Sequence, residues 1–491
     1  MKSRMNRRNF LAVSGGLAAA VPPNRARPAT ASAVDKPEIG GKCKILRLFL
    51  GARPSWPHPK LNLKTEMARF IKAMDKVPGL EGVEFVGNGW VRSNYEAQLY
   101  IKRFGSEVGG ILACNLCLGT SPMLAALLKS GIPTVVFSIP YSGHEWYMVP
   151  DLWRGGHRVD VVATGDFKDV VKAVRPLRAI FHLKRTRILY VGGGLPLPKG
   201  YPEALKKKIG PEVVPCPYER IKKAYEAVDP RLAAEEADRW IRAAQEVVEP
   251  SREEIVKSCR VYFALARLLR EEKAQVVTIN CLGGFYSHVP AYPCLAFSRL
   301  NDEGLCGVCE ADITSAVTQV IFLYLAGVPG FVTDPVINTA DNTVIHAHCM
   351  SATRMDGPKG PRAPFKIRNH LEDLRSASLQ VFMRKGQVVT VAKLVARDTR
   401  PYQQRRMVMA ATPFESIGVD QMLISTGTIV GVPTVERGCR TKVTVRVRNA
   451  QRMLETWTAG LHRVLFYGDH MEDIRRLSRL LKFEVVEEGV A

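Results

Sequence analysis

The 491-residue sequence lacks several features that mark particular classes of protein. No stretch approaches the ~20 apolar residues that a membrane-spanning helix needs. No dense run of Lys and Arg is interleaved with aromatic residues, and no nucleic-acid-binding motif is present. Internal repeats and low-complexity segments are also missing. We therefore expect a globular chain of roughly two to four domains, with no transmembrane segment in its mature form and no nucleic-acid partner.

Cysteines are present, but they lack the compact spacing of a zinc site. The eleven cysteines are odd in number and scattered. They include two C-x-x-C pairs, Cys114 with Cys117 and Cys306 with Cys309, which lie far apart in the chain. Others fall in apolar or Gly-rich runs, where small buried side chains are expected. Packing is therefore the main interpretation, and a thiol-based redox enzyme remains an alternative.

The first 33 residues resemble a twin-arginine export signal. Arg7 and Arg8 precede Phe10, a run of small apolar residues follows, and Ala31-Ser32-Ala33 has the pattern of a cleavage site. We predict that residues 1–33 are a signal peptide and that the mature protein is periplasmic or extracellular; a disordered basic N-terminus is the alternative. The net charge is +23, to which this segment contributes six Lys or Arg residues and no acid.

The remaining chain shows two different patterns of apolar and polar residues. Short apolar runs alternate with helical segments over residues 36–175 and again over residues 180–356, where 230–272 has the pattern of one long helix. This alternation is typical of parallel, doubly wound α/β sheets. Residues 362–491 instead contain short strands that alternate polar and apolar side chains, including 406–410, which indicates an antiparallel sheet or barrel. We predict two α/β domains followed by a β-rich, barrel-like C-terminal domain.

Carboxylates and histidines gather in the second half of the chain. Glu310 and Asp312 precede an apolar helix, Asp334 follows a short β-prone run, and His348 comes shortly after. Polar groups at strand ends and helix starts converge in one crevice of an α/β sheet. A mixed carboxylate and imidazole set suits Mn²⁺ or a similar divalent cation. A helix-terminal acid at Glu310 and a turn at Asp334 are the ordinary alternatives.

The order of these motifs resembles the L-fucose isomerase and L-arabinose isomerase family. The matching motifs are Ala296 to Gly304, Cys309-Glu310-Ala311-Asp312, Asp334, His348-Cys349 and Gly460-Leu461-His462-Arg463-Val464. The resemblance implies an aldose–ketose isomerase that binds Mn²⁺ through Glu310, Asp334 and His462. Glu310 and Asp334 would carry a proton between neighbouring carbons through an enediol, and a homo-oligomer, hexamer-like, is implied.

The same resemblance places His348 at the pocket, as a metal ligand or as a contact of a small-molecule sugar substrate. Asp312 and Asn338 are candidates either for supporting the ligands or for binding the substrate, and His470 competes with His462 as the imidazole ligand. Two features depart from the family: an export signal is present, and Leu461 and Arg463 stand where the arabinose branch has paired histidines. The sugar is therefore left open. A non-catalytic carbohydrate-binding protein on the same fold is the rival interpretation.

Overall fold

The computed structural model describes residues 41–192, 200–395 and 420–490. The predicted signal peptide (1–33) and the predicted strand at 406–410 lie outside these residues. Among the helices that are described, none is long and apolar enough to cross a membrane.

The first sheet contains five parallel strands in the order β2-β1-β3-β4-β5. The strands are β1 (Cys43–Leu50), β2 (Val83–Val91), β3 (Gly110–Asn115), β4 (Thr134–Ser138) and β5 (Val159–Ala163). The helices are α1 (Leu63–Met74), α2 (Asn94–Phe104), α3 (Ser121–Leu128), α4 (Val149–Arg154) and α5 (Val170–Leu183). Strands β1, β3 and β4 are almost wholly buried, as strands covered on both faces must be.

The second sheet contains four parallel strands in the order β10-β9-β6-β7. The strands of this region are β6 (Arg187–Val191), β7 (Glu212–Cys216), the short β8 (Glu246–Val247), β9 (Val276–Ile279) and β10 (Cys306–Val308). The helices are α6 (Tyr201–Lys208), α7 (Tyr218–Glu226), α8 (Pro230–Ala243), α9 (Arg252–Glu271), α10 (Tyr286–His288), α11 (Cys294–Asp302) and α12 (Ile313–Ala326).

The predicted single helix over residues 230–272 is wrong, because the segment forms two helices, α8 and α9, with β8 between them. Pro250 disfavours helical backbone at the residue before it. Ser251 then starts a new helix, since its side chain accepts a hydrogen bond from the backbone N–H of Glu254.

A closed antiparallel barrel forms the C-terminal region. Its six strands follow one another around the barrel as β15-β18-β11-β12-β17-β16, β15 pairs with β16 to close it, and β19 adds to β16 in parallel. The strands are β11 (Phe331–Asn338), β12 (Thr343–His348), β15 (Val388–Val395), β16 (Gln421–Gly431), β17 (Thr441–Arg446), β18 (Arg463–Tyr467) and β19 (Glu484–Glu487). A separate small sheet contains β14 (Ser378–Val381), β13 (Phe365–Arg368) and β8; α13 (Ala450–Thr456) and α14 (Met471–Leu481) are the last helices.

The predicted fold class is confirmed: two parallel α/β sheets are followed by a β-rich, barrel-like region. One expectation needs correction, because Asp334 does not stand at the carboxyl end of a parallel strand. It lies within β11, which pairs antiparallel with β12 and β18 of the barrel. The predicted domain boundaries remain a prediction.

Helix α12 connects the second sheet to the barrel. Apart from its C-terminal turn it is almost wholly buried. Phe322 of this helix stacks on Phe466 of β18, with ring centroids 3.8 Å apart and planes 5° from parallel. The stack links the helix that begins after Asp312 to the strand that begins after His462.

We predict that Phe322→Ala lowers the free energy of unfolding by about 3–5 kcal/mol, because it empties a fully buried ring site. Urea denaturation monitored by circular dichroism measures the change. Leu99→Ala on the exposed side of α2 is the control and should change stability by no more than about 0.5 kcal/mol. Equal midpoints for the two variants would contradict this role of the stack.

Candidate metal centre

The turn between β10 and α12 presents Glu310. The backbone φ angles of Glu310 and Ala311 are +59° and +51°, in the left-handed region that non-glycine residues rarely adopt. The N–H of Ala311 donates to the carbonyl of Ile279 at 2.8 Å, which anchors this turn to the end of β9. Strained backbone of this kind concentrates at functional sites. Here it directs a largely buried carboxylate toward the barrel.

Asp312 caps the N-terminus of α12 and is 1% exposed. Its Oδ1 accepts hydrogen bonds from the backbone N–H groups of Thr314 and Ser315, both at 3.0 Å, and from the Thr314 hydroxyl at 2.7 Å. Its Oδ2 accepts from the Ser315 hydroxyl at 2.6 Å, Lys393 Nζ at 3.0 Å and His462 Nδ1 at 2.9 Å. Burial alone raises the pKa of Asp312, but Lys393 and His462 lower it well below its usual value. The group is therefore a permanent carboxylate.

His462 is held by Asp312 in one ring orientation. Because Nδ1 donates to the ionised Asp312, Nε2 carries the lone pair of the neutral ring. Nε2 is buried and has no hydrogen-bond partner among the residues that the structure describes; it lies 3.5 Å from Glu310 Oε2 and 3.3 Å from Asp334 Oδ1. A lone pair between two carboxylates requires a positive charge, either a ring proton or a bound cation. A carboxylate that orients a metal-binding imidazole through its other nitrogen is a common arrangement.

His348 approaches the same point from β12. Its Nε2 is buried, has no hydrogen-bond partner in the described part of the chain, and lies 3.5 Å from Glu310 Oε1. Glu310, His348 and His462 each place one ligand atom within 4.8 Å of the others. However, Nδ1 of His348 accepts a hydrogen bond from the backbone N–H of Cys349 at 2.8 Å, so the neutral ring carries its hydrogen on Nε2. In this orientation His348 is a hydrogen-bond donor rather than a metal ligand.

The charges of the site are consistent with a divalent cation. Burial raises the pKa of Glu310, but the nearby histidines give a net lowering, and Asp334 behaves in the same way. Both groups are therefore carboxylates at neutral pH. Burial lowers the pKa of His348, whereas Glu310 and Asp334 give a net raise as long as no cation balances their negative charge. Glu310 and Asp334 thus offer carboxylate oxygens beside the oriented Nε2 of His462, the kinds of donor that a divalent cation binds.

Lys393 of β15 is a residue that our sequence analysis missed. It is fully buried, and its Nζ lies 3.0 Å from Asp312 Oδ2. The sequence did contain a signal, a single lysine inside a mostly apolar strand. Because a fully buried lysine is rare unless it has a charged partner, this lysine indicates such a partner. Lys393 neutralises the buried Asp312, which leaves His462 free to be neutral when Nε2 binds a cation.

The structure does not bring together all of the predicted site residues. Asn338 lies four residues along β11 from Asp334, roughly 13 Å away, and its side chain accepts from the backbone N–H of Ala340 in the hairpin turn. His470, the competing ligand, has its Nε2 2.8 Å from the carbonyl oxygen of Tyr467. Asp312, predicted to support the ligands or to bind the substrate, has its oxygens occupied by donors within the protein, His462 among them.

Comparison with known proteins supports a broad likeness to sugar isomerases. No family model matches the chain. Two curated relatives, each named sulfoquinovose isomerase, come from Clostridium sp. (strain MSTE9) and Alkalicoccus urumqiensis. The first is 24% identical over 264 residues, covering 53% of both chains. The second is 24% identical over 260 residues, covering 51% of this chain and 54% of the relative. The chain thus spans about half the length of the curated relatives it matches.

We predict that Asp312→Asn weakens Mn²⁺ binding by about 10- to 100-fold, because the amide no longer holds the ring of His462 with a charge-assisted hydrogen bond. Isothermal titration with Mn²⁺ measures the affinity. Asp341→Asn, in the hairpin between β11 and β12, is the control and should bind Mn²⁺ like the wild type. Unchanged affinity in Asp312→Asn would show that Asp312 does not position the ligand.

Proposed function

We propose that this protein is a metal-dependent aldose–ketose isomerase that moves a proton between neighbouring carbons of a sugar through an enediol. The observation that carries the proposal is the unpartnered Nε2 of His462, held by Asp312 between two carboxylates. The resemblance of the motifs to the L-fucose and L-arabinose isomerases and the names of the two relatives support the same reaction class.

The roles of the residues follow from their positions. Glu310, Asp334 and His462 hold the cation, for which we propose Mn²⁺. When bound, the cation polarises the sugar carbonyl and stabilises negative charge on the neighbouring oxygen. Glu310 and Asp334 are the ionised groups that take a proton from one carbon and return it to the next. The Nε2–H of His348 faces Glu310 and donates a hydrogen bond to a sugar oxygen or to that carboxylate.

The substrate class, location and assembly are further parts of this proposal. The relatives are named for sulfoquinovose, a glucose whose C6 carries a sulfonate, so this sugar is the first to test. The excess of basic residues in the chain suits an anionic substrate. From the N-terminal motif and the family resemblance we propose an exported homo-oligomer.

The redox alternative is disfavoured by the surroundings of the cysteines. All eleven cysteines are free, and both C-x-x-C pairs are buried. Burial raises the pKa of Cys114 to about 12 and raises that of Cys306 still further. Since the thiolate is the reactive form, these thiols are poorly suited to redox catalysis. The pairs are better explained as packing groups of their sheets.

We predict that the Mn²⁺-loaded protein incorporates deuterium at C2 of its sugar in heavy water, as followed by NMR. Glu310→Gln and Asp334→Asn should each slow this exchange by at least about 100-fold, because each removes an ionised proton carrier. Removal of the metal with EDTA should abolish it. Glu107→Gln, a surface residue of the first sheet region, is the control and should exchange at the wild-type rate.

Two results would overturn the isomerase. Failure to bind any divalent cation with micromolar affinity would remove the metal centre. Metal-dependent sugar binding without exchange at C1 or C2 would identify the rival, a carbohydrate-binding protein on the same fold.

A further inference from the structure

A row of side chains crosses three neighbouring strands of the barrel beside the metal centre. Asp334 of β11 lies opposite Ala347 of β12, and Ala347 lies opposite Lys442 of β17. On the other side of β11, Thr333 lies opposite Arg463, the first residue of β18. His462 precedes that strand, and its Nε2 is 3.3 Å from Asp334 Oδ1. Residues directly opposite one another share a face of the sheet. The row therefore reads Asp334, Ala347, Lys442, with the metal centre at one end and a cation at the other.

Lys442 is 7% exposed. No carboxylate among the described residues lies within 4.0 Å of its Nζ, and no hydrogen bond to that atom is found in the same part of the chain. The acid closest to it in sequence, Glu436, is already bound to Arg368 at 2.9 Å and Arg440 at 3.2 Å. The side chain of Lys442 is thus largely covered, but its amine is not fully buried. An anion that approaches from outside the chain can therefore reach this amine and pair with it.

Ala347 lies between Asp334 and Lys442 in this row. Its side chain is a single methyl group, so the row has a low point between Asp334 and Lys442. The two flanking Cα atoms are two strand spacings apart, roughly 10 Å. A six-carbon chain spans roughly 6 Å from C1 to C6, since each C–C bond is about 1.5 Å. A hexose whose C1 and C2 lie at the metal centre is therefore long enough for its C6 to approach the amine of Lys442.

We propose that Lys442 is a specificity-determining residue that binds an anionic group on C6 of the sugar, at the end away from the reacting carbons. The proposal rests on the proposed isomerase function and names its substrate class: six-carbon aldoses that carry a sulfonate or phosphate at C6. A lysine ammonium pairs with either of these tetrahedral anions as a compact charge. A neutral hydroxymethyl group leaves the amine without a counter-charge, so it is discriminated against.

The test uses three sugars that differ only at C6: sulfoquinovose, glucose 6-phosphate and glucose. Binding to the Mn²⁺-loaded full chain is measured by isothermal titration, and exchange at C2 by NMR. Lys442→Gln should weaken binding of the preferred anionic sugar by about 10- to 100-fold, the range for loss of a hydrogen bond to a charged group. Weak binding of glucose should not change, and Lys442→Arg should retain most of the preference. The tighter of the two anionic sugars identifies the native anion.

Arg446→Gln is the matched control. Arg446 is exposed on the same strand and the same face as Lys442, four residues away, so the variant loses the same charge at a distance from the row. It should bind all three sugars like the wild type. Mn²⁺ affinity, measured for each variant, establishes that the metal centre is intact.

The binding and exchange measurements together distinguish the proposed role of Lys442 from the proposed isomerase activity. Lys442-dependent binding of an anionic sugar without exchange supports the role of Lys442 and overturns the isomerase. Exchange on any sugar with equal affinities in Lys442→Gln and the wild type supports the isomerase and overturns the role of Lys442. An equal loss in Arg446→Gln, or failure of both anionic sugars to bind, also overturns the role of Lys442.

Discussion

The site depends on one buried negative charge, the carboxylate of Asp312. An ionised carboxylate in a protein interior is unstable unless it is paired and hydrogen-bonded. Asp312 satisfies this requirement with the N-terminus of α12, two hydroxyl groups, Lys393 and His462. These partners come from the second sheet region and from two strands of the barrel. The same carboxylate therefore holds together separate parts of the chain and fixes the ring on which the metal centre is built.

The environments of the three acidic residues separate their roles. Asp312 is saturated with donors from the protein and has no capacity left for a substrate. The side chains of Glu310 and Asp334 are 17% and 31% exposed, and both lie near the free Nε2 of His462. Environment in this way assigns different tasks to chemically similar carboxyl groups. Lys393 matters for the same reason, because it balances Asp312 so that the charge of Glu310 and Asp334 is left for the cation.

Capping residues and apolar runs predicted where a helix begins, because neighbouring residues determine that position. Asp312 followed by an apolar run predicted the start of α12, which the structure places at Ile313. The antiparallel partners of β11 could not be read in the same way. The strand that follows His462 comes about 130 residues after β11 in the chain, and its register with Thr333 is set by the closure of the barrel.

The candidate site residues also divide into those that the local sequence indicates and those that only tertiary contacts determine. Nothing local distinguishes His462 from His470, since both flank one apolar strand; the contact with Asp312 makes the difference. The left-handed backbone at Glu310 and Ala311 runs against the preference of those residue types, so tertiary contacts must impose it. Lys393, by contrast, could have been found, because an isolated lysine in a buried strand already indicates a charged partner.

The strand spacing of the antiparallel barrel fixes the distances between residues of the candidate site that lie on neighbouring strands. Asp334, Ala347 and Lys442 occupy one row on three consecutive strands, so their separations are multiples of the strand spacing, and His462 stands just before the next strand. A slip of one residue in any of these strands would turn its member of the row to the opposite face. The register that brings Asp334 to His462 therefore also sets the distance from the metal centre to the amine of Lys442. In the proposed isomerase, reaction and recognition would therefore be tied to one rigid element, and the length of the sugar that fits between them would follow from the geometry of the sheet.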